Sequence, residues 1–589
     1  MADKGADFGF VGGSYTAADP LQDLQTLINW MVEIDPSTEA KEPLALLGTP
    51  GLNPVINTIT GPVRGAWVLP GNLTCLFVVG SSVYLATVTT PASQTQIAQF
   101  TTTLVGTLLT NAGRVVIRDN GVLFNGQGGY AVLVDGTSGY FYRIAGAGTV
   151  IFTGNLTIGT PTISFTAGQL VPNYLLVSNA ATLTDSLGAI PATTIQSISF
   201  TANTITLNAN SASNQTGDTF TLAIPRFGQI NDPAFLGASR IAFIEGWLIF
   251  NQPGTRTFYT NAPVPYTLTF AGSFYALKDS STDNLVTLIE NNREAVLVGE
   301  RTAEWWYNSG GASFAFSRLP GIGPQVGCAA AQSIARVGND LAWLGAIGEA
   351  GQNVVVRTQQ YGWERVSTHA IENAIASYPV TSDAIGDCYE EAGHLIYQLT
   401  FPTADVTWCL DITVYDLTQG KLGWFQRLSW NAATGTYHRH SANCMVNFAG
   451  LLLAGDYQSG QIHQQSRSIY TDAGNPLRCQ RRTPHIWEKA TRARVFAASL
   501  QIEFTPGVGL QTGQGSDPQI MLRWSNDGGF TWSNEHWVPI GKAGETKNRA
   551  IIRRLGKFRD RVWEANFSDP VARDIIGATM FAEAEEEAA

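Results

Sequence analysis

The sequence has little charge and no long apolar run. Charged residues make up 14% of its 589 residues, well below the usual quarter of a globular protein. No apolar run approaches the roughly 20 residues that a membrane span requires. The first ten residues, MADKGADFGF, lack the apolar region that is typical of a signal peptide. We therefore expect no stable membrane insertion.

The cysteines lack the close spacing of metal or redox sites. None of the six lies in a CxxC pair; they are Cys75, Cys328, Cys388, Cys409, Cys444 and Cys479. Wide scatter in a large chain favours buried free thiols in a reducing compartment over a disulfide framework.

Common catalytic and nucleotide-binding motifs are also missing. We find no P-loop, no HExxH and no G-x-S-x-G. Gly321-Ile322-Gly323, followed by Gly327, has the wrong spacing for a dinucleotide loop. We accordingly predict no catalytic, cofactor-binding or metal-binding residues, no cofactor and no small-molecule substrate, and we predict that the protein is not an enzyme.

A basic surplus is absent as well. The net charge is −11, whereas a protein that grips duplex nucleic acid normally carries excess positive charge. A mildly acidic wall could still surround DNA that must slide, because it repels phosphate and prevents sticking. The charge is compatible with such a role without identifying it.

What the sequence does contain is the composition of a turn-rich β protein. It has 60 Gly and 26 Pro, and 10% of its residues are aromatic. The segment 291–327 predicts three short strands at 295–298, 303–307 and 313–317, separated by polar and glycine turns. Short strands closed by Gly, Pro, Asn or Ser are typical of an antiparallel meander.

Similar meanders recur along the chain. Their first strands are predicted to open near Thr74, Gly121, Trp247, Ala295, Leu341, His394 and Leu451. Most of the gaps are about 50 residues, close to the period of four-stranded propeller blades. We therefore predict a β-propeller-like core over residues 61–153 and 226–462, with consecutive β-sandwiches as the alternative.

One gap is much longer because of a charge-poor segment at 154–225. Alternation in Ile198-Ser199-Phe200-Thr201 and in 204–207 indicates strands. We predict a small inserted β-domain; the alternative is a flexible low-complexity loop.

The two ends of the chain differ from the core. Residues 1–60 are predicted to form an N-terminal docking arm, with a short helical turn possible after Asp19-Pro20. Residues 463–580 are predicted to form a C-terminal β-sandwich-like domain with strands at 496–504, 519–524, 531–537, 549–555 and 562–568. Residues 581–589 are predicted to be an acidic tail. The predicted fold class is thus all-β.

Four clusters could carry chemistry, although a structural role is the simpler interpretation of each. Residues 525–532 match the Asp-box S-x-D-x-G-x-x-W, in which Asp527 can bond turn amides and Gly528-Gly529 permit positive φ. Glu390-Glu391, near Asp383 and Asp387, could be paired catalytic acids. A solvated loop is the alternative for those acids.

His438-Arg439-His440 could place two imidazoles on one strand face and hold a metal. The alternative is a surface or interface pair, because no third ligand has fitting spacing. The basic run 549–561 could touch phosphate, whereas partner docking or a solvated face is the alternative.

Several of these features resemble the tail hub, or nozzle, proteins of short-tailed bacteriophages, also described as packaged-DNA stabilisation proteins. The resemblance covers residues 50–460 best. It rests on Pro50-Gly51-Leu52 with Arg64-Gly65, on residues 299–306 with Gly321-Ile322, and on a predicted strand Val414-Tyr415-Asp416 with Gly420 and Trp424. The inserted segment 154–225 departs from the family pattern.

The resemblance implies a structural virion protein. Such proteins form a six-fold ring, here a homohexamer, below the portal and its adaptor ring. They extend the DNA ejection channel, help to retain packaged double-stranded DNA without sequence-specific binding, and provide docking surfaces for tail fibres, spikes or a needle. The implied location is the virion tail, with the host cytoplasm during assembly. A propeller glycosidase or a glycan-binding adhesin of the tail is the alternative.

Overall fold

The computed structural model describes residues 5–6, 8–37, 41–91, 98–120, 129–311, 313–348, 351–489 and 492–584. Within these residues the chain is nearly all β, as predicted. The helices described are His369–Ala376 and Ile412–Leu417. The second helix corrects the predicted strand at 414–416: the Asp411 carboxylate accepts a bond from the Val414 amide (3.2 Å) and so starts a helix there.

Seven antiparallel blades of four or five strands, blades 1 to 7, form the propeller; blades 1 to 5 are separate sheets, and blades 6 and 7 belong to larger ones. From the axis outward, the strands of blade 1 are Val63–Val68, Thr74–Val79, Ser82–Thr90 and Gln99–Thr107. Those of blade 2 are Val116–Asp119, Tyr130–Val134, Gly139–Arg143 and Phe227–Ile230. Those of blade 3 are Ile241–Ile244, Trp247–Asn251, Thr257–Thr260 and Tyr275–Leu277. The strands of blade 4 are Leu285–Asn291, Glu294–Gly299, Ala303–Asn308 and Phe316–Arg318. In blade 5, the short strands Gly327–Cys328 and Ala335–Val337 both pair with Asp340–Ile347, and Gln352–Gln359 and Gly362–Arg365 follow. The strands of blade 6 are Ile385–Glu391, His394–Phe401, Val406–Asp411 and Trp424–Gln426. Those of blade 7 are Ala442–Phe448, Leu451–Asp456, Gln461–Ser466 and Gly51–Asn57.

The predicted repeat marks the blades but identifies the wrong strand. Six of its seven positions lie at the start of a second strand rather than a first one, and Gly121 lies outside the described residues. The strong sequence signal is the turn between the first two strands. Glu245-Gly246, Ala392-Gly393 and Ala449-Gly450 all have positive φ at both positions, as two-residue hairpins require.

The outermost strand of blade 7 comes from the N-terminal part of the chain. Gly51–Asn57 pairs antiparallel with Gln461–Ser466. This pairing closes the propeller by joining segments about 400 residues apart. Short strands Thr471–Asp472 and Asn475–Pro476 continue the same sheet.

A separate six-stranded sheet lies between the third and fourth strands of blade 2. Its strands are Gly148–Leu156, Thr162–Ser164, Thr182–Asp185, Ile195–Ser199, Thr204–Leu207 and Gln215–Ile224. Its apolar side chains share one buried cluster with blades 2 and 3, in which Leu175, Phe220 and Phe250 are fully buried. We call residues 145–225 the insert.

Two further sheets form the C-terminal sandwich, and both include N-terminal strands. Sheet I contains Gly5–Ala6, Trp30–Ile34, Leu44–Gly48, Val495–Phe504, Ala550–Phe558 and Ile575–Ala584. Sheet II contains Tyr15–Thr16, Leu24–Ile28, Cys479–Arg482, Gln519–Ser525, His536–Pro539 and Val562–Phe567. A hairpin, Leu428–Asn431 with Thr436–Arg439, lies apart from them.

Sheet II is hydrogen-bonded to the propeller. Leu24–Ile28 pairs in parallel with Trp424–Gln426 of blade 6, so that the blade and the sheet form one ten-stranded sheet. The buried cluster of the sandwich also includes Tyr389 and Phe425 of that blade. The propeller and the sandwich therefore share a core.

In the sandwich, one predicted strand is wrong in extent and one strand was not predicted. The strand predicted at 531–537 begins only at His536, because Thr531 bonds back to Asp527 within the preceding turn. Ile575–Ala584 was not predicted, and it takes in residues 581–584 of the predicted tail. Residues 585–589 lie outside the described part of the chain. The helical turn after Pro20 is a simple turn before Leu24–Ile28.

Candidate functional site

The innermost strands of the seven blades surround a cavity of about 340 Å³ on the propeller axis. We call it the axial cavity. It is lined by residues from every blade, including Trp67, Arg114, Arg240, Glu290, Arg336, Asp387 and Met445. Its volume is that of a small-molecule pocket.

Four arginines and two carboxylates make the cavity basic. Arg114 contacts Asp387 at 2.9 Å, and Glu290 lies 3.4 Å from Arg118 and 3.7 Å from Arg336. Burial raises the pKa of Asp387, and the nearby Arg114 opposes that rise. With both carboxylates ionised, four positive and two negative charges leave a surplus of two positive charges.

Arg240 has no carboxylate partner among the described residues. Its Nε donates to the Leu288 carbonyl at 3.3 Å, and Nη1 donates to Gln332 Oε1 at 3.0 Å. The residue is 8% exposed. Burial, together with the charges of Arg118 and Arg114, lowers the pKa of Arg240 to about 10.

The Asp-box forms a tight turn rather than a catalytic site. Bonds from the Ser525 hydroxyl (2.6 Å), the Thr531 hydroxyl (2.5 Å) and the Thr531 amide (2.9 Å) lower the pKa of Asp527 to about 2. A side chain on Gly528 or Gly529 would collide with Leu21 or Leu24. The turn thus holds the N-terminal segment against the sandwich.

The four neighbouring acids do not share a partner. Asp383 accepts a bond from the Thr403 amide (2.8 Å), Asp387 lies in the axial cavity, and Glu391 accepts a bond from the Arg467 amide (2.9 Å). Glu390 is exposed. These four acids therefore do not form the carboxylate pair that glycoside hydrolysis uses.

The two histidines have different surroundings. His438 bonds Asp405 at 2.6 Å and is 40% exposed. His440 is buried, and burial lowers its pKa well below the ordinary value. No group of three or more His, Cys, Asp or Glu side chains that could hold a metal occurs among the described residues.

The cysteines agree with the prediction. All six are free, and only Cys388 is not fully buried. Burial raises the pKa of the Cys75 and Cys444 thiols, which makes them poor nucleophiles.

The basic run divides into an exposed and a buried part. Arg553 and Arg559 are exposed on or beside the strand Ala550–Phe558. Arg561 is 1% exposed, stacks on Phe558 at 4.2 Å and donates to Asn526 at 2.8 Å. Arg561 is therefore a packing residue, not a phosphate ligand.

The basic lining of the axial cavity was not predicted. Its arginines lie at 114, 118, 240 and 336, in four positions that no motif links. The predicted repeat was the one sequence feature that could have pointed to this lining, because each of these arginines lies on or next to an inner strand of blade 2, 3 or 5.

The chain resembles individual known proteins only weakly. No match was found among curated proteins. Solved structures with weak similarity include Kluyveromyces lactis Hsv2 (9% identity, 64% of this chain and 96% of that one, TM-score 0.23). Virginiamycin B lyase from Staphylococcus aureus has 12% identity over 60% of this chain and 96% of that one, with a TM-score of 0.25. Citrobacter koseri AztD has 12% identity over 71% of this chain and 96% of that one, with a TM-score of 0.28. Similarity this low says nothing about function.

In the part of the chain that the structure describes, no helix is long and apolar enough to cross a membrane.

Comparison with protein families identifies the family of this chain. The family described as "Bacteriophage P22 Gp10, beta-propeller" matches residues 131–470, and "Bacteriophage P22 Gp10, beta-sandwich" matches residues 478–575. The chain therefore belongs to the bacteriophage P22 Gp10 family and is a phage structural protein that stabilises packaged DNA.

Proposed function

We propose that copies of this chain form the nozzle, or hub, ring of a short phage tail, and that this ring extends the DNA ejection channel. The observation that carries the proposal is the match of both family domains, in order, over residues 131–470 and 478–575. The ring would be a homohexamer below the portal-adaptor ring. A closed ring uses one repeated interface and avoids open-ended polymerisation.

Continuity between the two domains supports a mechanical role. The ten-stranded sheet runs from blade 6 into the sandwich, and the N-terminal segment contributes to both. A domain joined by such a sheet cannot rotate freely as one on a flexible linker can. Each subunit would therefore act as a stiff block under the pressure of packaged DNA.

DNA would pass between subunits and not along the propeller axis. The axial cavity of about 340 Å³ is far too small for a duplex, whose major groove alone is about 12 Å wide. A ring wall formed by an acidic chain, of net charge −11, would let DNA slide without sequence-specific binding.

Two regions carry exposed apolar side chains suited to docking. Leu170 in the insert is 79% exposed, and Phe530 and Trp537 of the sandwich are 73% and 62% exposed. We assign the sandwich, with the N-terminal segment bound to it, to contact with the portal-adaptor ring. The insert would receive tail fibres, spikes or a needle. In this role the protein is not an enzyme, and it resides in the virion tail.

The proposed function is tested by measuring how much packaged DNA the particles retain. Particles assembled without this chain and particles complemented with it are compared for nuclease-protected DNA after packaging. We expect DNA to leak from the particles that lack the chain and to be retained after complementation. Equal retention in both would overturn the proposal.

Separate experiments test the six-fold ring and the glycosidase alternative. Averaged images of tails should show a six-fold ring at the single tail vertex; another symmetry would contradict the homohexamer alone. Release of reducing sugar from host glycan by the purified chain would instead support the glycosidase alternative.

A further inference from the structure

We propose that the axial cavity binds a phosphate-class dianion, either inorganic phosphate or the terminal phosphate of a small nucleotide. The proposal rests on the surplus of positive charge that lines the axial cavity and on one buried guanidinium that lacks a carboxylate partner. It is independent of the role in DNA retention.

Charge balance is the first argument. Buried charges in proteins are usually paired, because an unpaired charge away from water is costly. Here Arg114 pairs with Asp387 and Arg118 with Glu290, and Arg336, whose side chain is 49% exposed, shares Glu290. The buried Arg240 forms no ion pair among the described residues; Arg118 and Arg114 repel its charge, and Glu290 attracts it from beyond ion-pair distance. A bound anion would neutralise the charge of Arg240 and the remaining positive surplus of the cavity.

Two other buried arginines show how carbonyls can replace a carboxylate partner, whereas Arg561 and Arg573 keep unbonded N–H groups within the packed core. Arg64 is 1% exposed and also has no carboxylate bond, but it donates to the carbonyls of Gly80 (2.9 Å), Thr110 (2.7 Å) and Gly113 (2.7 Å). Arg481 is similarly surrounded by carbonyls. Arg240, by contrast, leaves Nη2 without an acceptor among the described residues, and Arg240 lines the cavity.

Donor geometry favours phosphate. Guanidinium groups present planar forks of N–H donors that suit phosphate oxygens. Arg118 is held over the Trp67 ring at 4.4 Å, and its Nε lies 3.4 Å from Glu290 Oε1 without forming a hydrogen bond among the described residues. Arg114 and Arg118 belong to blade 2 and Arg240 precedes the first strand of blade 3, so a tetrahedral ligand would bridge two neighbouring blades.

Volume limits the ligand. A cavity of about 340 Å³ is at the lower end of small-molecule pockets. It accommodates phosphate or a mononucleotide phosphate end but excludes a nucleic acid duplex. The ligand class is therefore a small dianion and not the genome.

Calorimetric titration of the full chain tests the proposal. Sodium phosphate, sodium sulfate and adenosine monophosphate are titrated separately at constant ionic strength. We expect saturable binding of phosphate with one site per chain. Tighter binding of the monophosphate than of phosphate would identify a nucleotide as the source; equal binding would identify the free anion.

Arg240→Gln is the test variant, and Arg293→Gln is the matched control. Arg293 lies on blade 4, its side chain is 81% exposed, and it pairs with Glu245, so its loss removes the same charge from the surface. We expect a tenfold or larger rise in Kd for Arg240→Gln and no change for Arg293→Gln. Arg118→Gln, judged by circular dichroism to be folded, replaces Arg240→Gln if that variant does not fold. No saturable binding by the native chain, or equal affinity in all variants, would overturn the proposal.

Discussion

At the scale of single residues, buried arginines hold distant parts of this chain together. Arg481 on sheet II donates to the carbonyls of Phe10 (2.8 Å), Gly13 (2.9 Å) and Gly9 (3.1 Å). It is fully buried, and burial lowers the pKa of Arg481 to about 9. Each bond joins the N-terminal segment to a strand more than 450 residues away.

Replacing Arg481 should loosen the N-terminal segment. Arg481→Met keeps most of the side-chain volume but removes the guanidinium donor of the buried Phe10 carbonyl and of the partly buried Gly9 and Gly13 carbonyls, at about 1–3 kcal/mol for a buried group. We expect a loss of about 3 kcal/mol or more in the free energy of unfolding, measured with denaturant. Arg553→Met, on the exposed face of sheet I, is the control and should change it by less than about 0.5 kcal/mol. Equal effects would contradict the role of Arg481.

His394 links the N-terminal segment to blade 6 in a pH-dependent way. Its Nδ1 lies 2.5 Å from Asp411 and its Nε2 2.9 Å from Glu33. Burial opposes protonation, but the bonds to the two carboxylates outweigh it, and the pKa of His394 is raised above its ordinary value. The Glu33 bond contributes less, because that side chain is 42% exposed to solvent.

The contribution of His394 to stability should therefore disappear at high pH. A raised pKa stabilises the fold fully below the unfolded value of about 6.5 and loses this effect as pH rises through the folded value. We expect His394→Gln to cost about 1–3 kcal/mol at pH 6 and less at pH 8, measured as the difference from the native chain in denaturant titrations. His438→Gln, which alters an exposed pair, should cost little at either pH. A constant cost for His394→Gln would refute the linkage.

At the scale of elements, the closing strand of blade 7 depends on Gly51. A Cβ there would lie closer than 3.0 Å to the backbone oxygens of Ile469 and Thr471. Because both neighbours are backbone atoms, they cannot swing away as a flexible side chain could. The strand Gly51–Asn57 can therefore reach its place only without a side chain at this position.

Gly51→Ala should weaken propeller closure. We expect a loss of about 1–3 kcal/mol, the usual cost of overpacking, and faster exchange of the amide hydrogens in Gln461–Ser466. Gly272→Ala is the control, because nothing lies within 4 Å of its Cβ position and its φ is not positive. Slow exchange retained in Gly51→Ala would show that the neighbouring backbone can shift.

Sequence predicted the elements that local patterns encode. Antiparallel meanders were visible because turns such as Ala392-Gly393 need residues that tolerate positive φ. The strand Gly51–Asn57 was missed as a blade strand, because its partner lies about 400 residues later and no local pattern encodes that distance. For the same reason the convergence of Arg114, Arg240 and Arg336 could not be foreseen.

At the scale of the whole molecule, the insert is both attached and packed. It leaves blade 2 after Arg143 and returns at Arg226, whose carbonyl accepts a bond from the Arg143 amide at 2.7 Å. The Asn231 amide also donates to the Val177 carbonyl at 3.0 Å. The insert thus shares a core with the propeller but is not part of its closed ring.

Removing the insert should leave the propeller folded. Replacing residues 144–225 with Asn-Gly would join Arg143 to Arg226, which face each other on adjacent antiparallel strands, by a two-residue hairpin. We expect a cooperative, β-rich protein that is less stable by about 2–5 kcal/mol, because apolar residues of blades 2 and 3 lose partners. Particles carrying this variant should retain DNA but lose attached fibres or distal closure. Loss of the whole fold would contradict this view of the insert.

The strand that closes blade 7 is also made long before its partner. Residues 51–57 leave the ribosome first, and Gln461–Ser466 follows about 400 residues later, a delay of about 20–80 s at bacterial synthesis rates. The N-terminal strands of the sandwich wait still longer for Ile575–Ala584. A chain that terminates before residue 461 therefore lacks the partner that closes the propeller, and one that terminates between residues 467 and 574 has that partner but lacks the last strand of sheet I.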